Sequence, residues 1–252
     1  MNERIEFKRV TSGRLYRSIV EQIEEAIRRG DLKPGQHLPS ERKLMVEFGT
    51  SRSTVREALR VLENDGVLTS RPGDPNGPYL LPFSTQTLVR HMHRLASLNE
   101  VGVAELISSR MVFESAAARL AAVLHTPDEL AEIKHGLDRM KAAIPGDSGA
   151  FGQADLAFHK AIATSSRNRF VQASSEVVRE VVLLLIADAL SQSEDTEEFM
   201  TKSLHAHEQI FTAIQQRDGA AAARCAREML FAYYSPHVPP QDQAMLNALL
   251  DS

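Results

Sequence analysis

Residues 38–66, LPSERKLMVEFGTSRSTVREALRVLENDG, decide the fold of the N-terminal part of the chain. Ser40 can cap one short helix, Gly49 ends that helix, and Thr50 or Ser51 can cap a second one. Apolar residues recur at helical spacing on one side of each helix, namely Leu44, Met45 and Phe48 in the first and Val55, Ala58, Leu59 and Leu62 in the second. The stretch therefore predicts a helix-turn-helix.

The second of these helices carries polar groups suited to nucleic acid. Arg52 lies in its first turn together with the hydroxyls of Ser51, Ser53 and Thr54, and Arg56 follows one turn later. A guanidinium and several hydroxyls can contact base edges and phosphates when such a helix lies in a major groove. The alternative is a helical hairpin whose arginines are only solvated, which is common for surface charge.

A two-stranded hairpin is predicted directly after the second helix. VLTSR, a turn-rich PGDPNG and PYLL follow one another over residues 67–81. A ribbon in this position is a wing that can lie along the DNA backbone or enter a minor groove, with Arg71 near its tip.

Residues 12–81 resemble the winged helix-turn-helix of the GntR family of bacterial transcription regulators. The resemblance rests on GDLKPGQHLPSERKL followed by SRSTVREALRVLENDGVL. It implies that Arg42 and Arg52 make the main base or phosphate contacts and that Ser53, Thr54 and Arg56 secure the backbone. The wing departs from the family pattern because PGDPNGP is longer than the usual basic turn and includes an aspartate.

Length and charge indicate two domains of different character. A chain of 252 residues is too long for the small DNA-binding module alone. The absence of Trp and an aromatic content of 6% favour a helical, aliphatic interior. Residues 1–81 carry 14 Lys and Arg against 12 Asp and Glu, whereas the remainder carries 15 against 21. The excess of positive charge thus lies with the predicted DNA-binding part.

The location expected for the chain is the cytoplasm, without a membrane partner. A single cysteine, Cys225, excludes an internal disulfide and fits a reducing compartment. The N-terminal MNERIEFKRV has no apolar core of signal-peptide length. The longest apolar run, VVLLLIA at residues 181–187, is far below the roughly 20 residues that span a bilayer.

The predicted fold class is mainly α, a winged helix-turn-helix followed by an all-helical bundle of six or seven helices. An amphipathic helix at residues 13–29 carries Leu15, Ile19, Ile23 and Ile27. Further helices are predicted near residues 86–97, 101–124, 128–143, 148–165, 168–191, 197–216 and 219–234. The predicted organisation is a DNA-binding domain at 1–81, a linker and connecting helix at 82–99, an effector-binding and dimerisation domain at 100–234, and a tail at 235–252. The apolar segment 177–186 is expected to be a central core helix rather than an interface.

Three polar residues of the second domain can face one another. Asp155 and His159 are four residues apart, so one helix points both in the same direction. His207 shares an apolar stripe with its neighbours, whereas His205 lies about 200° away on the same helix and is expected at the rim. A carboxylate and imidazoles can share a cation. The alternative is a satisfied buried hydrogen bond between Asp155 and His159.

Arg110 is a second candidate for binding. It lies on the stripe of its helix with Leu106, Phe113 and Glu114, so it can project into the bundle. A buried guanidinium needs a partner, which is either Glu114 one turn later or the carboxylate of a ligand. Together with the two histidines, Arg110 would form a polar pocket of the kind that holds a small organic acid or sugar acid.

Residues from about 100 to 234 resemble the helical FCD effector domain of the FadR subgroup. The resemblance rests on LISSRMVFESAAARLAA, DLAFHKAIA and HEQIFTAIQQRDGAAAARCAREML. It implies a divalent metal such as Zn, Ni or Mn, held by Asp155, His159 and His207. The fourth ligand position of the family falls at Met229, whose thioether is a poor ligand for such ions. Two alternatives follow. One is a metal site with three protein ligands, and the other is a site without metal where an acid contacts His159 and His207 directly.

The predicted function is a transcription regulator rather than an enzyme. A homodimer would place two reading helices on a palindromic operator of double-stranded DNA, and a small carboxylate effector would alter their spacing or mobility. We expect a repressor released by its ligand. Two other classes remain open, namely a metal-dependent enzyme with a DNA-binding appendage and a ligand-blind DNA-binding module.

Overall fold

The computed structural model describes residues 13–70, 76–82, 84–98, 100–144, 146, 148–191 and 197–250, without the side chains of 13, 14 and 185–191. The chain divides into two compact units, Met1–Thr87 and Leu88–Ser252. Both have the class that the sequence predicts, a winged helix-turn-helix and a helical bundle. No helix of the described residues is both long enough and apolar enough to cross a membrane.

The first unit contains three helices and one pair of strands among its described residues. These elements are α1 (Gly13–Arg29), α2 (Glu41–Glu47), α3 (Arg52–Asn64), β1 (Leu68–Thr69) and β2 (Tyr79–Leu80). The strands are antiparallel, with Leu68 opposite Leu80. Buried residues of α1, α2, α3 and β1 form one core, which includes Ile19, Ile23, Leu44, Val55, Leu59, Leu62 and Leu68. The helix-turn-helix is therefore held by its apolar sides, as its sequence pattern predicts.

Two details of this unit differ from the sequence prediction. Ser40 lies at the N-cap of α2 but makes no capping hydrogen bond with its side chain. Its carbonyl still accepts a hydrogen bond from Leu44 N at 2.9 Å, so the helix begins where it was expected. Leu15 is 62% exposed although Ile19 and Ile23 are buried. Residues spaced by four drift by about 40° per step around a helix, so one end of such a row turns away from the core.

Gly77 fixes the base of the wing. It has a φ of +82°, and a Cβ added there would lie 2.2 Å from the carbonyl oxygen of Leu38. His37 Nδ1 lies 3.0 Å from the Gly77 carbonyl oxygen, and its ring packs edge-on against Tyr79. Only glycine allows the chain to approach the segment before α2 this closely.

The second unit is a bundle of α4 (Gln86–Ser97), which begins at the end of the first unit, α5 (Val103–Leu124), α6 (Pro127–Ala143), α7 (Ser148–Ser165), α8 (Arg169–Ser191), α9 (Glu197–Gln215) and α10 (Gly219–Tyr234). These seven helices agree closely with the predicted ones. The segment after α10 forms a 3-10 turn (Ser235–His237) and α11 (Gln243–Asn247), whose Leu246 is fully buried. Leu246 belongs to the same apolar cluster as residues of α4 and α5.

The segment 177–186 is a core helix only in part. Val177, Val178, Val181 and Val182 of α8 are buried, but Leu183 and Leu184 are 40% and 53% exposed. An apolar run longer than one face of a helix must expose some of its members unless partners surround it on all sides. The prediction of a central helix is therefore correct for the buried valines and wrong for these two leucines.

Two apolar clusters meet along α5, and the polar residues of the bundle lie between them. One cluster includes Leu106, Ile107 and Met111 of α5, and the other begins at Ala117. Arg110 lies among the residues of the first cluster and Glu114 lies between the two groups, and both side chains are buried. The helix thus carries ionised groups into the interior, where they require partners from neighbouring helices.

Candidate functional site

The start of α3 presents a connected group of hydroxyls. Ser51 caps the helix, and its Oγ accepts a hydrogen bond from Thr54 N at 3.3 Å. The same Oγ lies 2.8 Å from Ser53 Oγ and 2.9 Å from Thr54 Oγ1. Arg52 and Ser53 are exposed, whereas Thr54 is half-buried. A helix N-terminus that offers hydroxyls and a guanidinium to solvent is suited to phosphate.

The other residues predicted to bind DNA lie in different surroundings. Arg42 is exposed in the first turn of α2. Arg56 Nε lies 3.0 Å from Glu41 Oε2, so this guanidinium already has an acidic partner on α2. Arg71 lies outside the described residues. The structure therefore groups Arg52, Ser53 and Thr54 at one helix end and pairs Arg56 with a carboxylate.

Glu114 is the centre of the polar group inside the bundle. Its Oε1 lies 2.6 Å from Arg110 Nε and 2.8 Å from Arg179 Nη2. Its Oε2 lies 2.9 Å from His159 Nδ1. All four side chains are at most 7% exposed, so one buried carboxylate faces two guanidinium groups and an imidazole from three helices.

These contacts keep the ion pairs charged in the interior. Burial opposes ionisation of Glu114, but Arg110 and Arg179 hold the pKa of this carboxyl well below its usual value. Burial likewise disfavours the charged form of Arg110, yet Glu114 and Tyr234 raise its pKa. Arg110 also donates a hydrogen bond through Nη1 to Tyr234 Oη, and its guanidinium carbon lies 4.9 Å from the centre of that ring. Arg110 is therefore paired with Glu114, one of its two predicted partners.

The polar side chains of Asp155, His159 and His207 converge at one point. His207 Nε2 lies 2.8 Å from Asp155 Oδ1 and 3.1 Å from His159 Nε2. His207 Nδ1 faces the carbonyl oxygen of Ser203 at 2.7 Å, and His159 Nδ1 faces Glu114. A ring that donates from Nδ1 to the acceptor it faces presents an Nε2 lone pair on its other side when it carries a single hydrogen. Such a convergence is stable only with a proton or a cation between the three atoms.

The distances within this triad fit a metal ion. The remaining edge, from His159 Nε2 to Asp155 Oδ1, is 3.6 Å, and the three ligand atoms lie within 4.8 Å of one another. Metal bonds of about 2.0–2.2 Å in tetrahedral or octahedral geometry separate neighbouring ligand atoms by about 3 Å. Burial and Arg179 lower the pKa of His159 to about 4, so its ring is neutral and able to bind a cation near pH 7. Burial would raise the pKa of Asp155, but His159, His207 and Arg179 keep it low, so this ligand is ionised.

The triad lies in the wall of a cavity of about 640 Å³, hereafter called the effector cavity after the function proposed for it below. Asp155 is 30% exposed, and His159 and His207 are buried. His205, predicted to lie at the rim, is 72% exposed. Arg110 and Met229 also line the effector cavity, together with Phe151, Leu156, Arg179, Leu183, Phe199, Met200, Ser203, Tyr233 and Tyr234. The volume and the mixed lining are suited to a small polar molecule.

Arg179, Tyr234 and Ser203 were not identified from the sequence as members of this site. Arg179 gave a signal, because an arginine between buried valines needs an acidic partner. Ser203 contributes only its backbone carbonyl, which leaves no trace in the residue type. Tyr234 contacts Arg110 across 124 positions of the chain, so only the folded structure reveals the pair.

Comparison with protein families matches both units. Residues 15–75 match the model described as bacterial regulatory proteins, gntR family, and residues 105–232 match the FCD domain. The chain belongs to the gntR family of bacterial regulatory proteins. This gntR-family chain with an FCD domain is a DNA-binding transcription regulator and not an enzyme.

Characterised relatives of this gntR-family chain are similar over most of their length. The HTH-type transcriptional regulator LutR of Bacillus subtilis is 30% identical over 197 residues, covering 78% of this chain and 89% of LutR. The transcriptional repressor NanR of Klebsiella aerogenes is 28% identical, with 86% and 83% covered. The Glc operon transcriptional activator of Escherichia coli K12 is also 28% identical, with 83% and 84% covered. The solved structure of Streptococcus agalactiae GntR has the same fold, with a TM-score of 0.64, 21% identity and coverage of 88% and 99%.

Proposed function

We propose that this regulator binds a palindromic operator as a homodimer in the cytoplasm and responds to a small organic or sugar acid held in the effector cavity. The observation that carries the proposal is the convergence of Asp155, His159 and His207 beside the buried Arg110 in one cavity. A purely structural cluster has no need of an adjoining space of about 640 Å³.

A divalent cation at the triad is part of the proposal. Two imidazoles and one carboxylate suit Zn, Ni or Mn, and Glu114 supports His159 from behind as a carboxylate partner. Met229 lines the effector cavity and supplies no oxygen or nitrogen ligand, so positions on the cation remain for water or for an effector oxygen. A cation held there would attract the carboxylate of the effector.

The proposed DNA contacts lie on the exposed side of the first unit. Arg52 and Ser53 would contact bases or phosphates from the first turn of α3, Ser51 and Thr54 would position that turn, and Arg42 would contact the backbone. Arg56 would join them only by exchanging its partner Glu41 for a phosphate. Arg71 is retained as a proposed wing contact on the sequence pattern alone.

Exposed apolar surface on the second unit supports the homodimer. Val112 and Val123 of α5 are 46% and 58% exposed, and Phe170 of α8 is 74% exposed. Side chains of this size in contact with water favour burial against a second copy, and a two-fold dimer would present two reading helices to two half-sites. Sedimentation of the purified chain at micromolar concentration tests this part, and a monomeric species would contradict it.

The direction of the response is proposed to be release of a repressor by its effector. The repressor named NanR supports this direction, whereas the Glc operon relative is named as an activator. A reporter gene under the native operator distinguishes the two, because deletion of a repressor raises expression and deletion of an activator lowers it.

His159→Ala tests the effector site in the full chain. We expect this variant to bind operator DNA normally in the absence of effector and to lose the effector-induced change in affinity, measured by fluorescence anisotropy with a labelled operator. A normal effector response in His159→Ala would contradict the proposed cavity. A chain in which no organic acid shifts either the melting temperature or the operator affinity would instead be a ligand-blind module.

A further inference from the structure

A second cavity adjoins the effector cavity between α7 and α8. It has a volume of about 390 Å³ and is hereafter the side chamber. Leu156, His159, Arg179 and Leu183 line both cavities, so these four residues form the wall that they share. Leu156 and Leu183 are 49% and 40% exposed, which places flexible apolar side chains at the boundary between the two spaces.

Two buried polar atoms without a hydrogen-bond partner among the described residues belong to residues that line the side chamber. These are Ser175 Oγ and Arg179 Nη1, one turn apart on α8. Ser175 is 3% exposed and Arg179 is 5% exposed. An unsatisfied buried donor destabilises the folded state, and a charged one does so more strongly, so both atoms favour a group that brings acceptor oxygens.

Arg179 reaches from the side chamber to the triad. Its Nη2 is bound to Glu114 Oε1, whereas its Nη1 lies 4.0 Å from Asp155 Oδ2, beyond hydrogen-bond distance. The free edge of this guanidinium therefore lies close to the carboxylate that would hold a cation. The Nη1 group of this guanidinium can donate a hydrogen bond to a carboxylate.

A water molecule in a smaller void could form hydrogen bonds with the same two atoms without any ligand. This void has a volume of about 10 Å³ and room for one water molecule at most, and it is lined by Ser175, Arg179 and Glu114, whose Oε2 also lacks a hydrogen-bond partner among the described residues. The side chamber is much larger and has charged residues at its mouth, where Lys160 is exposed with Glu176, and Glu180 is half-buried. One lysine and two glutamates give the mouth a net negative charge, so the preference for an anion arises at Ser175 and Arg179 and not at the mouth.

Charge balance in the interior points to two anionic groups. Arg110 and Arg179 balance Glu114 and Asp155, and imidazoles that bind a metal are neutral. A divalent cation at the triad then leaves two positive charges in a buried site, which is costly without counter-ions. One carboxylate on the cation neutralises half of this charge, and a second carboxylate at Arg179 neutralises the rest.

We propose that the side chamber is a second subsite of the effector cavity, in which Ser175 and Arg179 bind the distal carboxylate of a short dicarboxylic acid. This inference rests on the proposed effector site and narrows its ligand class. A monocarboxylate would occupy the cation alone, whereas a dicarboxylate would also fill the subsite on α8. The discriminating quantity is therefore the ratio of the two affinities rather than either affinity alone.

The test is calorimetric titration of the full chain with Zn²⁺ added, using pairs of acids with equal numbers of carbons. The pairs are propionate and malonate, butyrate and succinate, and pentanoate and glutarate. We expect at least one dicarboxylate to bind about tenfold or more tightly than its partner, the effect of one charge-assisted hydrogen-bonding group. Equal affinities within all three pairs would overturn the subsite and leave the monocarboxylate site standing. If no acid of either kind binds, both the subsite and the effector proposal fail.

Two variants locate the preference on α8. Arg179→Gln should bring the ratio of affinities close to one, and Ser175→Ala should reduce it about threefold or more. The matched controls are Arg169→Gln, at an exposed arginine of the same helix, and Ser174→Ala, at the half-buried neighbour that does not line the side chamber. If Arg179→Gln fails to fold because Glu114 loses a counter-ion, the ratio of affinities in Ser175→Ala still tests the subsite. An unchanged ratio in Ser175→Ala would mean that its hydroxyl meets only water, and the subsite would be rejected.

Discussion

His159 and His207 face each other through Nε2 atoms that lie 3.1 Å apart, although they come from different helices and are 48 positions apart in the chain. The opposite nitrogen of each ring faces an acceptor, Glu114 for His159 and the Ser203 carbonyl for His207. This arrangement fixes both rings with their lone pairs directed at one point, which prepares the site for a cation before any ligand arrives.

His207→Ala should remove most of the metal affinity. Loss of a direct ligand is expected to weaken binding of Zn²⁺ by more than about 100-fold, because the loss of a supporting partner alone costs about 10- to 100-fold. Competition titration with a chromophoric chelator measures the change. His205→Ala is the control, since that ring lies on the same helix and is 72% exposed. Equal losses in the two variants would argue against a metal at the triad.

Met229→His should strengthen metal binding. Met229 lines the same cavity as the triad, so an imidazole at this position can complete a set of four protein ligands. We expect affinity for Zn²⁺ or Ni²⁺ to rise by about tenfold or more, measured with the same chelator. The effector should bind less well, because the added ligand occupies a position on the cation. An unchanged metal affinity would place Met229 too far from the bound ion.

Arg52→Ala should weaken operator binding by about 1–3 kcal/mol without changing the fold. Arg52 is exposed at the start of α3 and has no described ion pair to lose, so its removal leaves the core of the first unit intact. Anisotropy titrations over a range of salt concentrations measure the effect, with circular dichroism as the check on folding. Arg28→Ala, at the exposed end of α1, is the control. An operator affinity of Arg52→Ala equal to that of the wild type would contradict the assignment of α3 as the helix that reads the DNA.

Glu41→Gln should strengthen DNA binding. The exchange frees Arg56, now 3.0 Å from the carboxylate, and removes a negative charge from the same surface. We expect affinity to rise several-fold and the slope of log K against log salt to steepen by about one unit, as for one added phosphate contact. In the double variant Glu41→Gln, Arg56→Ala this gain should disappear. A gain that survives without Arg56 would assign the effect to general charge alone.

Glu114→Gln should destabilise the second unit strongly. The glutamine leaves Arg110 and Arg179 without their shared counter-ion in the interior, for which a cost of about 3–5 kcal/mol is expected. Chemical denaturation measures the change in the free energy of unfolding. Glu176→Gln, on the exposed side of α8, should have an effect within about 0.5 kcal/mol. A small change in Glu114→Gln would mean that solvent reaches the two guanidinium groups.

The helices were predictable from sequence because their signals are local. Apolar residues repeat at helical spacing, and breaks such as Thr126-Pro127 and Asp218-Gly219 mark the boundaries between helices. In the structure, Thr126 and Asp218 cap α6 and α10. The partners of Arg110 were only partly predictable. Glu114 lies on the same helix and follows from spacing, whereas Tyr234 comes from another helix and depends on how α5 and α10 pack.

The same distinction holds for the surface of the first unit. The capping role of Ser51 follows from its place before a helix, and its side chain does accept from Thr54 N. The pairing of Arg56 with Glu41 joins two helices whose relative rotation is not encoded in either segment alone. Polar contacts between elements are therefore the part of each site that sequence patterns do not determine.

Gly136 of α6 packs directly against the backbone of Phe158, where an added Cβ would lie 2.8 Å from the Phe158 Cα. No clearance exists at this crossing for α7 to slide or rotate toward α6. Since α7 also carries Asp155 and His159, these two proposed metal ligands lie on an anchored helix. We therefore expect a bound acid to displace the opposite side of the cavity. Helix α8 would move, because Arg179 on this helix contacts the acid, and this movement would carry the signal of acid binding to the rest of the protein.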